Sequence, residues 1–343
     1  MSSLYVQQAG LLTTVQDLGR AGYQRYGVPV GGAVDAFALE TANALVGNAP
    51  DAAALEITLL GPVLAFRADA LIAVCGADLS PTVDGFAVPL WRPVFVRRGS
   101  ALAFGAASAG CRAYVAAAGG VEVPAALGSR STLARAALGG VRGRALRDGD
   151  EVPVGRPSAD AERLARALAR AAGPAAPLAA ARWGASARAL PPYAAAGAPA
   201  AVRVTRGAEH ARFDAASRAA LTAEPYAVTP RSDRMGARLA GAPLTLAAPG
   251  GELVTEPVTA GTVQVPPDGA PVLLLADRQT TGGYPRIAQV AAADLPVVAQ
   301  VPPGGRLHFV EIEPEEAEWL YLAQRLELER LKAGIRLRLR STD

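Results

Sequence analysis

The sequence predicts a mainly β protein with a few helices, arranged as two β-barrel-like domains. Three observations predict it. Apolar runs with a period of two, separated by glycine- and proline-bearing turns, recur at both ends of the chain. Only short stretches carry the spacing of an amphipathic helix. Between the β-rich ends lies a segment of Ala, Pro, Gly and Arg with little pattern, and 343 residues is a length for about two domains. The expected division is an N-terminal β-rich domain over 1–157, a helix plus an Ala/Pro-rich linker over 158–202, and a C-terminal domain over 203–343.

The elements follow in order. Asp35 is placed to cap a helix whose stripe is Ala38, Thr41, Ala42 and Leu45, with Gly47 as its stop. Leu55-Glu56-Ile57-Thr58-Leu59 alternates as a half-buried strand does, which turns Glu56 toward solvent. Val83-Asp84-Gly85-Phe86 carries the Asp-Gly pair of a two-residue hairpin. Arg92 to Phe104 reads as strand, turn at Gly99, strand. Ala161 to Ala172 is helical in propensity and closed by Gly173-Pro174. Val263 to Ala276 reads as a hairpin turning at Pro-Asp-Gly. Leu295 to Phe309 echoes the pattern of Arg92 to Phe104, which two related barrel halves or two ordinary hairpins would explain. A last helix starts at Pro314, with Glu315 and Glu316 at the positive end of its dipole. Its apolar stripe is Trp319, Leu322, Ala323 and Leu326, and Gly334 is its expected end.

Composition removes several function classes. The formal charge of +3 is small and no basic cluster of five or more residues occurs, so no nucleic-acid partner is expected. The N-terminus MSSLYVQQAG lacks the regions of a secretory signal, and no apolar run approaches the roughly 20 residues that span a bilayer. No membrane association is expected, and the cytoplasm is the expected compartment. Cys75 closes an apolar run and is expected as a buried thiol. His210 and His308 stand alone, whereas a metal site needs three or four convergent ligands, so no metal is expected. Lys332 is the only lysine. That excludes a phosphate loop ending in Gly-Lys-Ser/Thr and argues against a Schiff-base lysine in a pocket. It also means that any biotin must arrive on another polypeptide, because a biotinylated lysine sits between methionines and the only methionines are Met1 and Met235.

Two long blocks are more specific. The first runs from Gly10-Leu-Leu-Thr-Thr-Val-Gln-Asp17-Leu-Gly-Arg20-Ala-Gly-Tyr-Gln24 through Gly27-Val-Pro-Val-Gly-Gly-Ala-Val-Asp35 to Asn43, Asn48 and Leu55-Glu56. The second is Ser232-Asp-Arg234-Met-Gly, Val263-Gln-Val-Pro-Pro-Asp-Gly269 and Ala276-Asp-Arg-Gln-Thr-Thr-Gly-Gly-Tyr-Pro285. Ala118-Gly-Gly120 and Leu127-Gly-Ser-Arg-Ser-Thr132 lie between them. Together these resemble the family of the 5-oxoprolinase C subunit, also described as biotin-dependent carboxyltransferases, allophanate hydrolase subunit 2 or KipA-like proteins, related to the carboxyltransferase part of urea carboxylase. The resemblance implies a cyclophilin-like barrel for at least the C-terminal domain. It also implies pairing with a sister B subunit (KipI-like) and action with an A subunit, opening 5-oxoproline to glutamate at the expense of ATP. Val34, Thr255 and the long 158–202 segment depart from the family pattern.

The same blocks supply the candidate site. Asp17, Arg20 and Gln24 lie in one polar, glycine-punctuated stretch, where a guanidinium fork and an amide can meet a planar carboxylate or ureido group. An Asp17–Arg20 pair that only holds the loop fits as well. Asn43, in mid-helix, either binds substrate or hydrogen-bonds a buried loop. Glu56 is a solvent-facing strand residue or, at a barrel mouth, a carboxylate that accepts protons or pairs with Arg20. Asp277 to Pro285 follows an apolar strand and brings Arg278, Gln279, Thr280 and Tyr284 into nine positions, a density of donors suited to a ligand; an ordered loop is the plainer alternative. Arg234 is a comparable candidate, or the partner of Asp233 in a surface pair. The candidates are thus Arg20, Glu56 and Arg278 for catalysis, and Asp17, Gln24, Asn43, Arg234, Gln279, Thr280 and Tyr284 for binding a small-molecule substrate.

No complete set of nucleophile, base and metal can be assembled, which points to a chain that supplies part of a composite site. The leading expectation is a subunit of an ATP-dependent 5-oxoprolinase, inactive alone, with ATP bound by a partner subunit. The alternatives are a carboxyltransferase acting on a urea-like or amide nitrogen with biotin carried by another protein, and a non-enzymatic regulator of the sister subunit.

Overall fold

The longest strands come from the runs richest in aliphatic residues. Ala70–Asp78 and Ala109–Ala117 pair antiparallel at the centre of a six-stranded sheet. Its order is Leu178–Ala180, Val94–Val96, Ala70–Asp78, Ala109–Ala117, Ala54–Thr58, Leu12–Gln16. A second six-stranded sheet runs Glu151–Val154, Ser2–Gln8, Val63–Phe66, Ala101–Ala103, Thr82–Val83, Phe86–Ala87. The two share one core in which Leu4, Val6, Leu64 and Phe66 meet Leu55, Ile57, Ile72, Val74 and Val94. At the Asp-Gly hairpin, Asp84 and Gly85 both take positive φ, as a type I′ turn requires. The two strands flanking Gly99 do not pair with each other; the chain passes there from one sheet to the other.

The computed structural model describes residues 2–195, 197–248 and 253–341. It divides into two compact units. The first holds Met1–Gly19, Asp35–Leu190 and Glu327–Asp343, and the second holds Arg20–Val34 and Pro191–Leu326. In the first unit helix α1 (Ala36–Leu45) is capped as its sequence predicts: the Asp35 carboxylate accepts from Ala38 N at 2.9 Å. Gly47 follows with a φ of 73°. The helix lies on the two central strands, which are therefore buried on both faces. Glu56 is 1% exposed, not solvent-facing, and its carboxylate meets Tyr114 of a central strand.

Helix α2 (Ala159–Ala172) begins with Ser158 as its cap. Beyond it the expected linker is largely built structure. Leu178–Ala180 forms an edge strand against Val94–Val96, and the Arg97 guanidinium donates to the Ala176 and Gly173 carbonyls at 2.9 and 2.6 Å. A three-residue strand of Leu and Ala has no periodicity of its own; its partner edge decides its conformation.

In the second unit the order Ala200–Arg206, Arg286–Val290, Thr262–Gln264, Val272–Leu274, Gly236–Ala240, Tyr226–Val228, Arg306–Glu311 closes into a seven-stranded barrel. The last strand returns beside the first in parallel. Val202, Val204, Leu239, Val263, Leu273, Ile287, Leu307 and Phe309 fill it, with Phe213 and Leu221 of helix α3 (Ala215–Ala223) and its approach. Leu295–Ala299 is helix α4, not the strand that the internal echo implied. An apolar run of five fits either state, and Pro296 in its first turn is tolerated by the helix. Helix α5 (Pro314–Arg340) runs through Gly334 to Arg340. Its second half buries Leu328, Lys332, Ile335 and Leu339, a packing gain that outweighs the cost of about 1 kcal/mol for a helical glycine. The stripe Trp319, Leu322 and Leu326, expected to face a core, is exposed.

Candidate functional site

Leaving the barrel strand Val272–Leu274, the chain is zipped to residues 234–235: Leu275 N donates to Met235 O at 2.8 Å and Asp277 N to Arg234 O at 2.9 Å. The Arg234 and Asp277 side chains join as well. Arg234 Nε and Nη2 grip the two Asp277 oxygens at 2.8 and 2.9 Å, and Nη2 also donates to Gly32 O at 2.6 Å. Asp233 is not its partner, because its carboxylate caps the turn by accepting from Met235 N and Gly236 N. Gly31 lies against this fork with a φ of 65°, and a Cβ there would stand 3.3 Å from Arg20 Nη1 and 3.5 Å from Asp277 Oδ1. Arg20, 1% exposed, anchors the near end of its loop by donating its backbone N–H to Val30 O at 2.8 Å. The structure therefore gathers Arg20, Arg234 and Asp277 around the Gly31-Gly32 pair. A side chain longer than hydrogen at Gly31 would be strained at this positive φ and would press on the Arg20 guanidinium.

Arg278 turns elsewhere. Its half-buried guanidinium makes only long contacts to carbonyls, 3.4 Å to Val258 and 3.3 Å to Leu275. Among the described residues no carboxylate lies within ion-pair distance of it. Burial pulls its pKa below the usual arginine value, yet an arginine remains charged at any physiological pH. Beside it Gln279 Nε2 donates to Gln264 Oε1 at 3.2 Å, and Gln264 Nε2 reaches Tyr284 O at 3.5 Å. Gly282 passes so close to Gln264 that a Cβ would fall 2.5 Å from its Nε2. Thr281–Gly282 pairs with Glu256–Pro257, and Thr280 accepts from Val258 N at 3.0 Å through its carbonyl. The loop is thus held through its backbone and Gln279. The Arg278 guanidinium, the half-buried Thr280 side chain and the exposed Tyr284 ring are not among these ties. Gln24 is exposed and its Oε1 accepts from Gly22 N at 3.0 Å, a local turn bond.

Three candidates lie in the first unit, and each makes hydrogen bonds within it. The Asp17 carboxylate takes bonds from Gly19 N (2.8 Å), Ser129 Oγ (2.6 Å), Ser131 Oγ (2.5 Å) and Arg130 N (2.5 Å). Asn43 donates to Ala52 O at 2.7 Å and accepts from Asn48 Nδ2 at 3.1 Å, the loop-holding role of its two readings. Glu56 accepts from Tyr114 Oη at 2.7 Å, and that oxygen accepts from Asp35 N at 2.8 Å. Burial, then the charges of Glu56 and Asp35, push the Tyr114 phenol well above its usual pKa, so it stays protonated and donating. Asp17 and the Glu56–Tyr114–Asp35 relay therefore clamp the points where the chain leaves for Arg20–Val34 and comes back. Sequence reasoning missed Asp277, Gln264 and Tyr114. Asp277 sat inside the motif and could have been matched to Arg234 by charge, whereas Tyr114 faces Glu56 only through strand register.

The model of the carboxyltransferase domain, subdomain A and B, matches residues 26–311. The chain is 38% identical to the 5-oxoprolinase C subunit of Escherichia coli, over 92% of its own length and 93% of that protein's. It is 35% identical to urea amidolyase of Lachancea kluyveri, over 96% of its length but 18% of that much longer protein. The crystal structure of K. lactis urea amidolyase superposes with a TM-score of 0.85 at 31% identity, over 96% of this chain and 20% of that one. The fold, the motif blocks and these likenesses agree: the chain belongs to the carboxyltransferase domain family, subdomain A and B, whose relatives include the C subunit of 5-oxoprolinase.

Proposed function

We propose that the chain is a subunit of an ATP-dependent 5-oxoprolinase and supplies the part of a composite site that holds the substrate. The observation that carries this reading is Arg278: a half-buried guanidinium with only long contacts to two carbonyls and, among the described residues, no carboxylate within ion-pair distance. A 5-oxoproline carboxylate would complete it through two parallel N–H donors, with Thr280 and Tyr284 of the same loop as further candidates for the lactam. Held so, the ring is oriented for attack while partner subunits contribute the rest. Nucleotide chemistry fits this chain poorly. Its sole lysine is buried against Glu40 at 2.8 Å and Glu329 at 2.6 Å, so none is available to a phosphate. ATP is therefore assigned to a partner. The test is to purify the chain alone and co-expressed with the A and B subunits, and to measure glutamate released from 5-oxoproline and ATP. Release only by the assembly supports the proposal; release by the chain alone defeats the composite site.

A second reading, carboxyl transfer from carboxybiotin on another protein to a urea-like nitrogen, is favoured by the likeness to urea amidolyase across nearly the whole chain. Bicarbonate-dependent turnover that avidin blocks would select it over the first.

A further inference from the structure

The barrel of the second unit closes by laying the strand Arg306–Glu311 parallel to Ala200–Arg206, so both end on the same side. Their last residues pair: Arg206 Nε and Nη2 both donate to Glu311 Oε1, each at 2.7 Å. Gly207 then turns the chain against the strand Arg286–Val290. Its N–H donates to Ile287 O at 2.9 Å, and a Cβ there would fall 2.2 Å from Arg286 O. Only glycine permits so close an approach. The turn is closed by His210 N–H on Gly207 O at 3.1 Å, and it brings His210 beside Glu311. With Arg218 from the first turn of α3, these residues line a cleft of about 530 Å³.

The charges of this cleft are incompletely spent. Both Arg206 bonds fall on one oxygen of Glu311. The other, Oε2, stands 4.0 Å from His210 Nε2, too far for a hydrogen bond. Burial pulls the His210 imidazole below its usual pKa, against the opposing pull of Glu311, so at neutral pH it forms no ion pair with that oxygen. Arg218 is half-buried and, among the described residues, has no carboxylate within ion-pair distance. The neighbouring Asp214 and Glu209 are engaged elsewhere, on Ser217 N at 2.6 Å and on Arg286 at 2.7 Å. A ligand of one sign suits such a place poorly, since an anion meets Glu311 and a cation meets Arg218. A peptide amino terminus brings an ammonium alone. A free amino acid brings both signs on one carbon, and the cleft leaves room for its side chain. We propose that this cleft binds an α-amino acid as its zwitterion, the ammonium on Glu311 Oε2 and the carboxylate on the Arg218 guanidinium. The site shares no residue with Asp277 to Pro285, so it stands apart from the function proposed above.

Isothermal titration of the full chain with L-glutamate and with L-alanine should show binding at one site. Glutarate, the glutamate skeleton without its ammonium, should bind at least tenfold more weakly. Arg218→Gln and Glu311→Gln should each weaken the amino acids at least tenfold, with the melting temperature of Arg218→Gln unchanged. Arg278→Lys should leave this binding as it is. The inference is overturned if neither amino acid binds up to about 10 mM, or if glutarate binds as tightly as L-glutamate. It is also overturned if Arg278→Lys abolishes binding while Arg218→Gln does not, which would put the amino acid on the Arg278 loop. Inorganic phosphate that binds where the amino acids do not, and is lost in Arg218→Gln, would make the cleft a plain anion site and the zwitterion wrong.

Discussion

A guanidinium that has given up much of its water and has no carboxylate partner is costly, and such sites persist where a ligand completes them. Arg278 is such a group. Arg278→Lys keeps the charge and loses the fork, so it should lower the activity of the assembled complex at least tenfold, about 1.4 kcal/mol in transition-state terms. The melting temperature and subunit pairing should stay unchanged, and near-wild-type activity would make the loop structural. Another pair predicts acid sensitivity. Arg286 grips both Glu209 oxygens at 2.8 and 2.7 Å, and these bonds hold the Glu209 carboxyl below its usual pKa. Its folded value is depressed, so its contribution is present above the unfolded pKa and fades as pH falls through the folded one. Stability measured by urea unfolding from pH 7 downward should decline more gently in Glu209→Gln than in wild type; parallel curves would contradict the assignment. Side-chain roles were legible where the partner is local, as for the Asp35 carboxylate that caps α1. They were illegible where a partner comes from another strand: alternation alone assigns Glu56 to solvent, but Tyr114 of the neighbouring strand meets its carboxylate.

At the scale of elements, the same rule separates what the sequence shows from what it hides. The Asp35 cap, the Asp84-Gly85 hairpin and the Pro314 start are local devices and stand where their residues put them. Leu178–Ala180 had no such device, because an edge strand of three residues is specified by the edge it joins. Deleting these three residues should destabilise the first unit by about 2 kcal/mol or more, by uncovering Val94–Val96 and freeing Arg97. Deleting Ala194 and Ala195, exposed and beyond that unit, should change stability by less than about 0.5 kcal/mol. Equal losses in the two deletions, read by urea unfolding, would mean that the whole 173–199 stretch packs as one piece.

The whole molecule is less sequential than its composition implies. Three segments in order along the chain were expected, yet the first unit recruits both termini: Ser2–Gln8 pairs with Glu151–Val154, and the tail from Glu327 packs back on it. The link is a charge. Lys332 Nζ meets Glu40 Oε2 at 2.8 Å, 292 positions apart, with both side chains less than a tenth exposed. Nothing near either residue in sequence announces the other, so only the fold reveals why the chain's one lysine lies where it does. A buried pair of this kind contributes little net stability against an apolar replacement, but half of it is expensive to leave behind. Lys332→Met should therefore cost about 3–5 kcal/mol by taking the ammonium away from the buried Glu40 of α1, whereas Lys332→Met combined with Glu40→Leu should recover most of that loss. Urea unfolding of the two single variants and the double supplies the cycle. A coupling near zero would mean that water reaches Glu40 and that the tail is held only by Leu328, Ile335 and Leu339. A large coupling would make the first unit dependent on the last residues of the chain, so that a fragment ending at Leu190 should fail to melt cooperatively.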